Sequence, residues 1–290
     1  MAVVTRFAPS PTGPLHLGHA FSAILAHDMA RAAGGQFLIR MEDIDHQRSR
    51  PAWADAALDD LAWLGLTWDG PVVSQQTRLP AYRAALDRLA QMGLLFGCSC
   101  TRGDIRAALA APQEGALPFN EGPDGPVYPG TCRGKPVSDG AAIRLDLTRA
   151  VNRVRDLAFV ETGPAYGGTH ALQPLEMLSW VGDVVLARRD MGTSYHLSVV
   201  VDDAAQGVTH ITRGEDLFDA TQIHVLLQAL LSLPTPIYHH HRLIRDDQGK
   251  RLAKRDDARA ISKYRAEGAT PADIRRMVGL TDPECPQPRA

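Results

Sequence analysis

The sequence predicts an α/β protein: a parallel sheet with helices on both faces, split by an inserted α+β segment that carries clustered cysteines, and ended by a short helical stretch. Three observations carry this. An apolar run at Val3 and Val4 is followed by an apolar-periodic stretch from His19 to about Ala33 and then by a second apolar run, Gln36–Met41, which is the alternation of strand, helix and strand. Beyond residue 181, two further continuous apolar runs end in charged residues, as strands buried on both faces of a parallel sheet do. Between the two regions, from Gly97 to about Gly140, periodicity gives way to alternating prolines and glycines.

Composition sets the outer limits. The chain has 290 residues, 44% of them hydrophobic and 22% charged, enough to bury a real core in one large domain with an insertion, or in two. A net charge of -2 gives no global attraction to nucleic acid, so any RNA contact rests on a local basic patch. The start lacks a charged region followed by an apolar stretch, and the most apolar run, Ile223 to Leu233, is interrupted by His224 and Gln228. No signal peptide or membrane span is expected. Four cysteines, three of them at Cys98, Cys100 and Cys132, are too few and too clustered for a disulfide scaffold and point to a metal site in a cytosolic protein.

The opening turn, Arg6 to His19, is rich in proline and glycine and joins the first strand to the first helix. A helix N-terminus presents unpaired N–H groups and the positive end of the helix dipole, a natural seat for phosphate. His16 and His19 flank it, and Gly18 lets the backbone come close, so both imidazoles can face one polyphosphate. Gln36–Met41 ends in Glu42, Asp43 and Asp45 at the carboxyl end of a strand, where binding groups of open α/β sheets gather; Asp43 and Asp45 read as N-caps of the next helix. Helices are expected over roughly Pro51–Leu64 and Leu79–Met92. In the second, Tyr82, Ala85, Leu86, Leu89 and Met92 share a core-facing side. A loop as long as 97–140 needs a pin. Cys98, Cys100 and Cys132 are soft ligands suited to zinc, although a closed zinc site takes four and only three cysteines lie here; Cys285 sits outside it.

Ala141–Val160 reads as strands, with Ile143, Leu145 and Leu147 alternating, and Val181–Asp190, Val199–Asp203 and Gly207–Leu217 read as the second half of the sheet. Asp219–Leu231 has a helical stripe. His239–His241 ends a short strand with no carboxylate in the run and one face to solvent, so it is not expected to bind metal. Asp246–Gly249 turns into the basic run Lys250–Arg255, and Thr270 caps a final short helix with Pro271 in its first turn, ending at Leu280.

His16-Leu17-Gly18-His19 together with Lys250-Arg251-Leu252-Ala253-Lys254-Arg255 resembles the HIGH and KMSKS signatures of class I aminoacyl-tRNA synthetases, and Arg6 to Gly13 resembles the opening of the glutamate and glutamine branch. In length and cysteines the match is nearest to the glutamyl-Q tRNA(Asp) synthetases, and it runs from about Val3 to about Asp257. The resemblance implies a Rossmann-type catalytic domain in two halves, 1–96 and 191–257, around an inserted acceptor-type subdomain with a zinc module, 97–190, and a short helical end, 258–290. It implies that His16, His19 and Lys254 serve catalysis, and that His16, Gly18, His19, Arg251 and Lys254 bind ATP. Arg6, Phe7, Ala8, Pro9, Ser10, Glu42, Tyr195 and Arg213 would bind glutamate, with Glu42 on its amino group. One structural zinc ion would be held by Cys98, Cys100, Tyr128 and Cys132, the tyrosine being the fourth ligand the family supplies. Arg251 and Ala253 depart from the usual lysine and serine of the second signature; arginine keeps the charge with a different geometry.

The chemistry so implied is attack of glutamate on the α-phosphate of ATP, carried with Mg²⁺, without a requirement for tRNA, followed by transfer of the acyl group to queuosine in the anticodon of tRNA(Asp). A bidentate guanidinium for the side-chain carboxylate would reject glutamine. The chain stops about thirty residues after Arg255, which leaves no room for a helical anticodon-binding domain. A cytoplasmic monomer is expected. Three alternatives stay open from residues alone: a truncated synthetase charging the 3′ end of tRNA(Glu), a non-catalytic tRNA-binding paralogue, and a small-molecule nucleotidyltransferase with the same His-x-Gly-His turn.

Overall fold

The first strand, β1 (Val4–Phe7), runs through the proline-rich turn into α1 (Leu17–Ala32), and β2 (Gln36–Met41) returns parallel to it with Arg6 opposite Leu38. These coordinates are a computed structural model that describes residues 2–110, 121–245 and 259–280. After β2 come α2 (Pro51–Trp63), β3 (Val73–Ser74), parallel to β2, and α3 (Leu79–Gln91). The middle of the chain holds β4 (Leu95–Cys98), α4 (Arg102–Ala110), a small hairpin of β5 (Glu121–Gly122) and β6 (Gly125–Pro126), β7 (Ala142–Leu145), α5 (Leu147–Val151), β8 (Ala158–Glu161), β9 (Gly168–Ala171), α6 (Met177–Trp180) and β10 (Val185–Ala187). The last part is α7 (Tyr195–Ala205), β11 (His210–Gly214), α8 (Thr221–Leu230), β12 (Ile237–His241), α9 (Ile261–Ala266) and α10 (Pro271–Met277).

β3, β2 and β1 form one parallel set, and β11, β12 and β8 another, extended by antiparallel β9. The two sets meet where the Thr209 N–H donates to the Val4 carbonyl at 2.9 Å and the Val4 N–H donates to Thr209 Oγ1 at 2.8 Å. The strand order therefore reverses between β1 and β11, and a crevice opens outside their carboxyl ends, the place where open α/β sheets bind ligands. β4, β7 and β10 make a separate antiparallel sheet in the order β10-β7-β4. One core packs Tyr82, Leu86 and Leu89 of α3 against α7, α8 and the middle segment; a second packs α1 and α2 on β1 and β2 and takes in Ile261 and Ile274 from α9 and α10. Arg275 fastens α10 to α1 through both oxygens of Asp28, at 2.7 and 3.0 Å. No helix among the described residues is long and apolar enough to cross a membrane.

Several expectations are corrected. Helix α1 begins at Leu17, before His19, because His16 itself is the N-cap. Asp43 and Asp45 cap no helix: α2 starts after Arg50 with no side-chain cap, while Asp43 accepts from Ser74 Oγ and the Gln76 N–H, and Asp45 accepts from the Arg48 N–H. The stretch 97–140 is not all loop, since it contains α4. Leu147 opens a helix rather than continuing a strand, because Asp146 accepts from the Arg149 N–H and caps it. Val199–Asp203 lies in helix α7, capped by Ser194 on the Leu197 N–H. An apolar run this short has no readable period, and α7 is buried on most of its circumference, so the helical stripe that would betray it is missing. β10 is a strand but pairs antiparallel with β7, outside the parallel sheet. The histidine strand has no open face at its end: His240 and His241 are both buried, the first against Glu161 of the neighbouring strand β8.

Candidate active site

The crevice between the ends of β1 and β11 widens into a cavity of about 1410 Å³. The turn residues Arg6 to Ser10, then Glu42, Tyr195 and Arg213, line it, and so do His16, Gly18 and His19. The structure thus gathers on one cavity every described residue to which the resemblance assigns glutamate or ATP. Arg251 and Lys254 lie outside the described residues, as does Cys285.

At the start of α1 the two histidines form a reciprocal cap. His16 Nδ1 accepts the Gly18 N–H at 3.1 Å and His19 Nδ1 accepts the His16 N–H at 3.2 Å, with the rings stacked at 3.7 Å between centroids. Each neutral ring then carries its proton on Nε2, so the cap that orders the helix also fixes both imidazoles as donors. A Cβ at Gly18 would sit 3.1 Å from His16 Cε1, so any larger residue here presses on the capping ring. The chain on either side of the undescribed segment 246–258 is seated on the same helix. Ala260 bridges His16, the Ile261 N–H donates to the Leu15 carbonyl at 2.9 Å, and Ile244 packs on Phe21.

Beneath the cavity floor is a buried charge network. Asp203 of α7 accepts from Arg6 Nε at 2.9 Å and from Arg40 at 2.7 Å, and Arg40 also reaches Glu42 at 3.3 Å. The neighbouring Asp202 accepts from Arg78 Nε at 2.5 Å, Tyr82 at 2.6 Å and Gln75 at 2.9 Å. Burial pushes the Asp203 carboxyl up, but the Arg40 and Arg6 guanidiniums outweigh it and hold it below the usual range. For Glu42 burial wins over Arg40, and its carboxyl is raised. Burial likewise raises the Tyr195 phenol.

Arg213, at the end of β11, is equally buried and differently held. Its Nε donates to His240 Nε2 at 2.9 Å, one terminal nitrogen to His224 Nδ1 at 2.9 Å and the other to Thr221 Oγ1 at 2.7 Å. A guanidinium only donates, so both ring nitrogens must be unprotonated. His240 therefore carries its proton on Nδ1 and gives it to Glu161 at 2.5 Å; His224 carries its own on Nε2 and donates to His196 Nδ1 at 3.1 Å. Burial and the adjacent Arg213 push His240 down to about 4 and His224 well below the ordinary imidazole value, so both are neutral at pH 7.

At one wall stand the cysteines. The sulfurs of Cys98, Cys100 and Cys132 lie within 4.8 Å of one another, and the Tyr128 hydroxyl is 3.4 Å from Cys98 Sγ and 3.6 Å from Cys100 Sγ. A tetrahedral zinc ion with bonds of about 2.3 Å needs sulfurs about 3.7 Å apart, and Cys100 and Cys132 stand at 3.5 Å, so the donor set fits. Burial raises the Cys132 thiol, but hydrogen bonds from Tyr128, the Ser99 backbone, Cys100 and Lys135 outweigh it and bring it down to about 6, whereas burial raises the Cys100 thiol and the Tyr128 phenol. Arg189 ties the module to the cavity by donating to the Cys98 and Cys100 carbonyls, both at 3.3 Å.

Sequence reasoning missed Asp203, Arg40, Glu161, His224 and His240. Arg40 left the clearest signal, a charge inside the otherwise apolar strand Gln36–Met41. The others sit on elements whose neighbours are set only by the sheet order.

The chain matches the model of the class I tRNA synthetase catalytic domain for glutamate and glutamine over residues 2–120 and 171–283. It is 66% identical over 284 residues to a glutamyl-Q tRNA(Asp) synthetase of Rhodobacter capsulatus, covering 96% of this chain and 100% of that protein. It is 42% identical to a protein of the same name from Nocardia farcinica, over 96% of this chain and 83% of that one. Among solved structures it resembles a glutamate tRNA ligase of Elizabethkingia meningosepticum in complex with its amino acid, with a TM-score of 0.75 and 25% identity, over 97% of this chain and 61% of that ligase. A methionyl-tRNA synthetase of Mycobacterium tuberculosis, at 11% identity and a TM-score of 0.59, shares the fold.

Proposed function

The chain belongs to the family of class I glutamate and glutamine tRNA synthetase catalytic domains, and from that premise we propose that it activates glutamate with ATP and passes it to queuosine in the anticodon of tRNA(Asp). The likeness to the Rhodobacter capsulatus protein, which extends over that protein's full length, favours this acceptor over the 3′ end of tRNA(Glu). The observation that carries the chemistry is the convergence of Arg213, Glu42 and the His16–His19 pair on one cavity.

The Arg213 guanidinium takes the side-chain carboxylate of glutamate, and Glu42 and Tyr195 its ammonium group. The turn from Arg6 to Ser10 lines the pocket and lays the α-carboxylate toward the start of α1. There one carboxylate oxygen attacks the α-phosphorus of ATP, the bond to the β-phosphate oxygen breaks, and pyrophosphate leaves. His16 and His19 donate from Nε2 to the phosphates, and the positive end of the α1 dipole adds to them. Lys254 and Arg251, which lie outside the described residues, are the ATP ligands the family resemblance adds to this pair. Little covalent help is required, since the rate comes from placement and from cations meeting the departing charge. A hydroxyl of the queuosine ring then attacks the acyl carbon and AMP leaves.

We assign 1–96 and 191–257 to the two halves of the catalytic domain, 97–190 to an inserted subdomain whose β8 and β9 also extend the sheet of β11 and β12, and 258–290 to a helical end. One zinc ion on Cys98, Cys100, Cys132 and Tyr128 would brace that subdomain against the cavity and supply rigidity, not reactivity. Elemental analysis is expected to read one zinc per chain, lost in Cys132→Ser. The decisive assay supplies labelled glutamate, ATP and tRNA(Asp) with or without queuosine. Label is expected only on the queuosine-bearing tRNA, and label on the other would overturn the assignment.

A further inference from the structure

Resting on the reading that Arg213 receives the glutamate side chain, we propose that His240 and His224 are positioning and specificity-determining residues: two neutral imidazoles that aim the Arg213 guanidinium without discharging it, with Glu161 setting the tautomer of His240 from behind.

A buried arginine is ordinarily compensated by a carboxylate in direct contact. Arg6 has one in Asp203. Arg213 is as buried, at 5% exposure, yet among the described residues its three hydrogen-bond partners are His240, His224 and Thr221, all uncharged acceptors. The nearest carboxylate in this chain of contacts is Glu161, which stands on the far side of the His240 ring. Glu161 is itself saturated: it accepts from the His240 N–H at 2.9 Å and the Gly163 N–H at 2.5 Å as well as from His240 Nδ1.

Two consequences follow. Three of the five guanidinium N–H donors are used, which leaves one on each terminal nitrogen among the described residues, the number a carboxylate takes as a bidentate partner. The positive charge also stays unspent, so a ligand carboxylate recovers Coulomb energy that an amide cannot, and an amide would turn an NH₂ toward a group that only donates. Both effects favour glutamate over glutamine. The tautomers are essential to this arrangement. Were His240 to carry its proton on Nε2, it would face the Arg213 Nε–H donor to donor.

The test is glutamate-dependent ATP–pyrophosphate exchange with the full chain. If the wild-type protein shows no glutamate dependence, the proposed function fails, whatever the histidines do. Where it does, His240→Leu is expected to raise KM for glutamate on the order of 10- to 100-fold, with kcat and KM for ATP little changed. His240→Gln, whose amide oxygen replaces Nε2 as acceptor, is expected to restore most of that loss. His224→Glu places a carboxylate on Arg213 and is expected to raise KM for glutamate and to narrow the preference over glutamine, while the thermal midpoint does not fall. A drop in kcat with KM unmoved in His240→Leu, failure of His240→Gln to rescue, or an unchanged KM in His224→Glu would each overturn the inference. A measurement free of any variant is histidine ¹⁵N NMR at pH 7: one buried ring protonated on Nδ1 that changes on Glu161→Gln supports it, and a His240 ring protonated on Nε2 overturns it.

Discussion

Arg6 and Arg213 stand near the ends of neighbouring strands, are equally buried, and line one cavity, yet the protein treats them in opposite ways. Arg6 shares Asp203 with Arg40, inside a network of three acidic groups that also binds Arg78 through Asp202. Arg213 is surrounded by neutral acceptors. The first arrangement neutralises charge within the fold and ties β1, β2 and α7 together; the second leaves the guanidinium without a carboxylate in contact among the described residues. Burial alone does not distinguish these two arginines, whereas the ionisation of their partners does.

The sharpest way to break the contrast is Asp203→Ala, which leaves two buried guanidiniums without their shared partner. Loss of one partner of a buried ion pair costs about 3–5 kcal/mol, so the denaturation midpoint is expected to fall steeply with the m-value unchanged. Arg213→Gln should do the reverse. The neutral acceptors keep an amide donor, so stability stays within about 1–2 kcal/mol of wild type, while the glutamate affinity read by calorimetry drops on the order of 100-fold.

Acidity sharpens the same comparison. Burial and the adjacent Arg213 hold the His240 ring well below its ordinary 6.5, so below that value the unfolded chain takes up a proton that the native ring refuses. Stability must then fall as pH falls below it. The depressed Asp203 has the same sign, its contribution present above the carboxylate range and lost on further acidification. His240→Gln is expected to flatten the stability curve between pH 6.5 and 4 while leaving the limb below it, as urea melts across that range would show. The smallest effect is expected at the helix start. His16→Ala removes an N-cap worth about 1 kcal/mol, visible as a modest thermal shift, and His16→Asn should restore the cap without restoring the Nε2 donor or the exchange rate.

The cavity's contributors were largely legible before any coordinates. Arg6 to Ser10, His16, His19 and Glu42 lie on short local motifs, strand–turn–helix and strand end, whose geometry follows from a few neighbouring residues. The Leu79–Gln91 stripe and the Thr270 cap are local in the same sense. Where period or contact is nonlocal, the reading failed. Val199–Asp203 is too short to show a period, so a buried helix passed for a strand, and with it went the direction in which Asp202 and Asp203 face. Asp43 and Asp45 had a generic local use available and instead serve loops elsewhere in the chain.

What the residues determined by themselves is therefore the chemistry on offer: a capped helix start with two imidazoles, arginines at strand ends, and three thiols near a tyrosine. What only the tertiary structure decided is which charges cancel. Asp203 lies 197 residues from Arg6 and Glu161 lies 79 from His240, and these pairings exist because β11 is laid beside β1 and β8 beside β12. Electrostatic energy depends on distances that sheet order sets and that sequence separation does not encode, so one strand-end arginine meets a carboxylate and the next meets neutral rings.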